Sequence, residues 1–181
     1  MLIPVRRIIT CTNHQGRSSV LSDGPATNII GGLTELWTTA EAPHDHASNT
    51  DLGARSNSLE PSTSGTVFRF FQISPEASSA HLSPEEKSKA WSDLFASMNA
   101  AHVQPDTRRD PGMHKSATTD YIILLQGAIT LVLDDDEVDM KPFDIVIQRG
   151  TNHSWVNRGE VDALLMAVLV APFLPRVDIV V

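Results

Sequence analysis

The chain has 181 residues, with 14 Lys and Arg against 22 Asp and Glu, a formal charge of −8 and a pI near 5.2. An acidic chain without a basic stripe is a poor partner for nucleic acid, because neutralising phosphates requires clustered Lys and Arg. A single cysteine, Cys11, excludes an intramolecular disulfide and a multi-cysteine zinc site. The N-terminal apolar run is short and holds Arg6 and Arg7, and the most apolar later stretch is interrupted by Asp162 and Pro172. Neither reads as a signal peptide or a membrane span, so a cytoplasmic protein without a membrane partner is expected.

In chain order, residues 2–10 are rich in Ile and Val and predict an N-terminal strand. "IIGGLTELWT", residues 29–38, predicts a second extended segment, bent at Gly31 and Gly32. Residues 41–65 are polar and full of Ser, Asn, Pro and Gly, the chemistry of a long loop that is either mobile or a cover. The "HDH" at 44–46 falls in that loop, where chance accounts for it better than metal binding does. "TVFRFFQIS", residues 66–74, predicts a strand by its β-branched and aromatic content.

Ser83, Pro84 and Glu86 combine an N-cap, a proline at the first helical position and a capping-box partner, predicting a helix over about 84–101. Trp91, Leu94, Phe95 and Met98 recur along it as one apolar stripe. Such a stripe packs on the main body or a second subunit more often than it serves as a substrate lid. From Asp120 onward the chain is nearly all β. Two apolar strands flank a turn at Gly127, the acidic run 134–137 makes a solvated hairpin turn, and two further strands follow. Short strands separated by turn residues predict a sandwich or barrel.

Side chains alternate faces along a strand, so His114, Ser116, Thr118 and Asp120 share a face if the segment is regular. His153, Trp155 and Asn157 form a second set of equal parity. Together the two strands offer His114, Asp120 and His153 to a common centre. Two imidazoles and a carboxylate suit a divalent metal with open positions, and equally suit metal-free acid–base work.

These residues resemble the two motifs of the cupin superfamily. The first motif places two histidines around one residue, then a glutamate, then a glycine after six more residues. Here His114, Ser116, Asp120 and Gly127 take those places, with Ser116 in place of a histidine and Asp120 in place of the glutamate. The second motif has Gly-Asp, a glycine, a histidine three residues later and an asparagine four beyond. Phe143, Asp144, Gly150, His153 and Asn157 match it, with Phe143 in place of the glycine and one residue fewer before Gly150. The wording over roughly 65–170 is similar to small cupins that accompany natural-product pathways in fungi and bacteria.

The resemblance implies an all-β fold, a cupin-type jelly-roll β-barrel or sandwich with one inserted helix. One domain is expected over 1–181, with N-terminal strands in 1–40, a loop in 41–65, a barrel core in 66–172 and a tail in 173–181. It implies a homodimer, for which the N-terminal strand and the helix stripe could furnish the contact. It also implies an enzyme of natural-product biosynthesis, acting on a small oxygenated or aromatic metabolite. The favoured class is a lyase or isomerase: a dehydratase, a decarboxylase or a cyclase.

His114, Asp120 and His153 are the expected acid–base residues, one histidine taking a proton and the other histidine or Asp120 returning it. Arg69 is expected to orient an acidic group of the substrate, and Phe71, Ser116, Trp155 and Trp37 to line its pocket. The cofactor is either none or one divalent ion, iron, zinc or manganese, held by His114, Asp120 and His153. With iron the reading becomes a dioxygenase; a non-catalytic small-molecule-binding protein is the third alternative.

Overall fold

In the computed structural model, residues 2–39, 50–54 and 58–172 are described. Among them the strands are β1 (Arg6–Thr12), β2 (Ser18–Pro25), β3 (Ile29–Ile30), β4 (Leu33–Thr39), β5 (Thr66–Ile73), β6 (Thr119–Gln126), β7 (Ile129–Leu133), β8 (Glu137–Met140), β9 (Ile145–Arg149), β10 (His153–Val156) and β11 (Ala163–Val170). One α-helix, α1 (Pro84–Ser97), lies between β5 and β6. The "HDH" at 44–46 and the tail from 173 lie outside the described residues.

A six-stranded sheet runs in the order β3-β4-β5-β11-β6-β9, and a three-stranded sheet in the order β10-β7-β8. The hairpin β1-β2 stands as a separate two-stranded sheet; its second strand has no counterpart among the predicted elements. The two larger sheets share one apolar core. Val67, Ile122, Leu124, Leu165, Ala167 and Leu169 come from the larger sheet, and Ile129, Leu131, Met140 and Trp155 from the smaller. Burying a Leu or Ile side chain stabilises by about 1.5–3 kcal/mol, so this alternation fixes which face of each strand turns inward. The fold is the expected all-β jelly roll with an inserted helix.

The helix begins as its sequence dictates. The Ser83 side chain accepts from the Glu86 backbone N–H at 3.2 Å, and the Glu86 carboxylate accepts from the Ser83 N–H at 2.8 Å. This reciprocal pair satisfies two orphan donors of the first turn. The helix ends at Ser97, four residues short of the predicted end; a turn at Met98 and Asn99 follows, and a short 3-10 turn begins at Ala101. Its stripe is turned inward: Phe95 and Met98 pack with Leu59, Ala100 and Val103, flanked by Trp91, Leu94, Ile30 and Leu33. Phe95 and Met98 thus serve the protomer's own interior, with Trp91 and Leu94 half-buried beside them.

Gly127 joins β6 to β7 with φ +80°, and a Cβ there would stand 2.8 Å from the Asp162 carbonyl oxygen. Only glycine meets both conditions. At the equivalent bend of the second motif, Phe143 holds φ +74° with its ring 78% exposed. Left-handed backbone costs an L-residue roughly 1–2 kcal/mol, and an exposed ring recovers little of it by burial. Phe143→Gly is therefore expected to raise stability by about 1 kcal/mol in a denaturant titration. A lower midpoint in the variant would show that the ring is held by packing.

Candidate active site

The inner face of the larger sheet carries the charged groups of a cavity of about 160 Å³. Register places Arg69 (β5), Ala167 (β11) and Ile122 (β6) in one lateral row, and Val67, Leu169 and Asp120 in the next. Arg69 and Asp120 thus lie on strands either side of β11, and the small Ala167 leaves the space beside Arg69 open. Both line the cavity, with Phe71, Ile122, Leu169, His114, His153 and Trp155. The helix and its C-cap supply a further wall through Trp91, Leu94, Phe95 and Met98.

Arg69 is 2% exposed and pairs with Glu35 of β4, directly opposite in register, at 3.1 Å. Its Nη2 also donates to the Ser58 carbonyl at 2.8 Å. Burial raises the Glu35 pKa and lowers that of Arg69, while each charge opposes the shift of the other. A guanidinium loses its proton only at extreme pH, so the pair is a buried salt bridge. Nε and Nη1 of Arg69 and Oε2 of Glu35 are buried without a hydrogen-bond partner.

Asp120 is buried, with its Oδ1 also unpartnered. Burial pushes its pKa up from 3.8 to about 6, against a Thr118 hydroxyl hydrogen bond and the Arg69 charge, which favour the carboxylate, and with Glu60, which disfavours it. A carboxyl group near its midpoint close to neutral pH can both take and give a proton.

The histidines are held differently. His114 and His153 exchange both backbone hydrogen bonds, at 2.9 Å each, in an isolated antiparallel bridge. Their rings lie 4.2 Å apart between centroids. Nδ1 of His114 is 2.9 Å from the Gly112 carbonyl oxygen, and Nδ1 of His153 is 2.9 Å from that of Thr151. A carbonyl only accepts, so both rings carry their proton on Nδ1 and present Nε2 as a bare lone pair. The Gln148 amide nitrogen lies 3.0 Å from the same Nδ1 of His153, but Thr151 O and Oγ1, at 2.9 and 2.6 Å, accept its protons. Burial lowers the His114 pKa; burial and then the neighbouring His114 take His153 down to about 3. Both imidazoles are neutral at pH 7.

The expected ligand set for a metal is not assembled. Among the described residues no group of three or more His, Cys, Asp and Glu side chains is placed to hold a metal ion. His114 and His153 offer two neutral donors, but Asp120 interacts with Thr118, Arg69 and Glu60. The three line one cavity without forming a chelate.

Two substrate contacts expected from the sequence are corrected. Ser116 does not line the cavity; its hydroxyl is buried 2.7 Å from that of Thr118. The chain bends at Ala117 and Thr118 before β6 begins, and that bend breaks the parity linking His114 to Asp120 through Ser116. Trp37 lies in a second cavity, beneath the β1-β2 hairpin, with Phe68 and Phe70. A bulge between Glu35 and Trp37 resets the strand, so Glu35 faces Arg69 while Trp37 sits opposite Phe68. Glu35 and the helix wall were not among the expected site residues. A carboxylate centred in the apolar stretch "LTELW" was the sequence trace of the first.

Asn157 of the second motif has a structural task. Its Nδ2 donates to the carbonyls of Ile73 and Val161, both at 2.8 Å, tying β5 to the turn before β11. No helix of the described residues is long and apolar enough to cross a membrane.

Residues 100–169 match the model of the cupin domain family. The chain carries a cupin domain. Over 47 residues the cupin is 49% identical to phomopsin biosynthesis cluster protein C' of Diaporthe leptostromiformis, covering 25% of each chain. Over 163 residues it is 26% identical to the cupin-domain-containing oxidoreductase srdD of Neurospora crassa, covering 83% of this chain and 65% of that one. The match thus spans a quarter of the first relative's length and under two thirds of the second's. Among solved structures, the cupin domain of Schizosaccharomyces pombe Cnp3 aligns with a TM-score of 0.45 and 11% identity, over 92% of this cupin and 88% of that chain.

Proposed function

We propose that this cupin is an enzyme of natural-product biosynthesis that moves a proton on a small, largely apolar carbonyl compound, as a lyase or isomerase. The observation that carries the reading is Asp120: a buried carboxyl group with a pKa near 6, opening on a cavity walled by Phe71, Trp91, Phe95 and Trp155. The Asp120 carboxylate removes a proton from the carbon next to the substrate carbonyl and returns it to the enolate or the leaving oxygen. The Arg69 guanidinium stabilises the negative charge that develops on oxygen. The neutral imidazoles, with bare Nε2 lone pairs, accept hydrogen bonds from a substrate hydroxyl; at these depressed pKa values neither is a strong base. The roles are thereby reversed from the histidine-centred expectation. Biosynthesis as the setting is supported by the names of the relatives.

The test is proton exchange. Phenylacetone incubated with the protein in deuterium oxide is expected to gain deuterium beside its carbonyl faster than in buffer, and Asp120→Asn to remove at least about 99% of that acceleration. Exchange that is absent from the wild type, or undiminished in the variant, would sink the reading. A redox role is the second reading, favoured by the names of two relatives as oxidoreductases. Dioxygen uptake that depends on added ketone and stops with Asp120→Asn would support it.

A further inference from the structure

The floor of the cavity is both donor and acceptor. Arg69 and Asp120 line it with no ion pair between them, Arg69 with Nε and Nη1 unused and Asp120 with Oδ1 unused. Each is almost wholly buried, and leaving such a group unpaired costs about 1–3 kcal/mol, more for a charge. A ligand that satisfied only the guanidinium would leave the carboxylate bare. Glu35 already balances Arg69 at 3.1 Å, and Asp120 adds a buried carboxylate of its own. An anionic head would bring a second negative charge beside Asp120 in a low-dielectric space. Apart from Gln72 and the two imidazoles, the rest of the wall is aromatic and aliphatic.

Resting on the proton-transfer reading above, we infer that the cavity selects an uncharged ligand whose polar head carries a carbonyl oxygen and an adjacent N–H or O–H donor on an aromatic or apolar body. The carbonyl accepts from Arg69 and the donor is taken by Asp120. A carboxylate is selected against, which revises the acidic group expected from the sequence.

Three probes of nearly equal size separate the possibilities: benzamide has acceptor and donor, acetophenone the acceptor alone, and benzoate is an anion. Their dissociation constants at pH 7.5, from quenching of Trp91 and Trp155 fluorescence and from calorimetry, are expected to favour benzamide about tenfold over either competitor. The double variant Arg69→Met with Glu35→Gln, which removes both members of the ion pair while Asp120 stays, is expected to weaken benzamide and acetophenone about tenfold each, through loss of the donor to their carbonyl, with its fold checked by circular dichroism. Benzoate binding most tightly, benzamide binding no better than acetophenone, or no binding of benzamide overturns the inference. The ranking is read without turnover. The expected ranking in a protein that fails to exchange deuterium would leave the ligand class standing and remove the proton transfer. Exchange with the wrong ranking would do the reverse.

Discussion

Asp120→Asn is expected to abolish proton exchange and, in the same protein, to raise stability at pH 7.5. The folded-state pKa of about 6 lies above the ordinary 3.8, so between these values the native state holds a proton that the unfolded chain has released. Stability therefore falls as pH rises from about 4 to about 6, and stays lower above that window. The difference is worth on the order of 3 kcal/mol at most. Asparagine fills the same space without ionising and removes this penalty. Denaturant midpoints for variant and wild type should converge at pH 4 and separate at pH 7.5, with the variant higher. An offset that is equal at both pH values would show that the Asp120 charge costs the fold nothing.

The second large effect is at the ion pair. Arg69→Met alone leaves Glu35 buried without its cation, and Glu35→Gln alone leaves Arg69 without its anion. Each single change is expected to cost about 3–5 kcal/mol, because breaking a buried pair strands the remaining charge. Changing both together should restore most of the loss, giving a coupling of more than about 2 kcal/mol in a double-mutant cycle. The Arg69→Met protein should also recover stability as pH falls, since burial already raises the Glu35 pKa and protonation relieves the lone carboxylate. Additive losses, unchanged by pH, would mean that the two side chains act by packing.

These residues also mark how far the sequence could be followed. The helix start was legible because Ser83, Pro84 and Glu86 act within four residues of one another, and strand β5 because its β-branched and aromatic content is local. The paired motifs were legible because His114, Asp120 and His153 do reach one cavity. What escaped depended on non-local geometry. The bulge after Glu35 changes which neighbour faces inward, so Trp37 went to the wrong side and Glu35 went unnoticed. The bend at Ala117 and Thr118 removes Ser116 from the cavity, because strand parity does not carry across an irregularity. The roles of the histidines turned on carbonyl partners at Gly112 and Thr151 and on depth of burial, neither of which residue spacing encodes.

The helix that walls the cavity is a separate piece of architecture from the strands that carry its polar floor. Trp91, Leu94 and Phe95 lie on one 14-residue helix with Met98 as its C-cap, whereas Arg69, Asp120 and Glu35 are fixed by sheet register. Shape and chemistry are thus inherited on different segments. Exchange of side chains along a single helical face can enlarge, shorten or reshape the chamber, while the reactive groups keep their spacing. Within such a frame a lineage could diversify the molecules it accepts far faster than the reaction it performs.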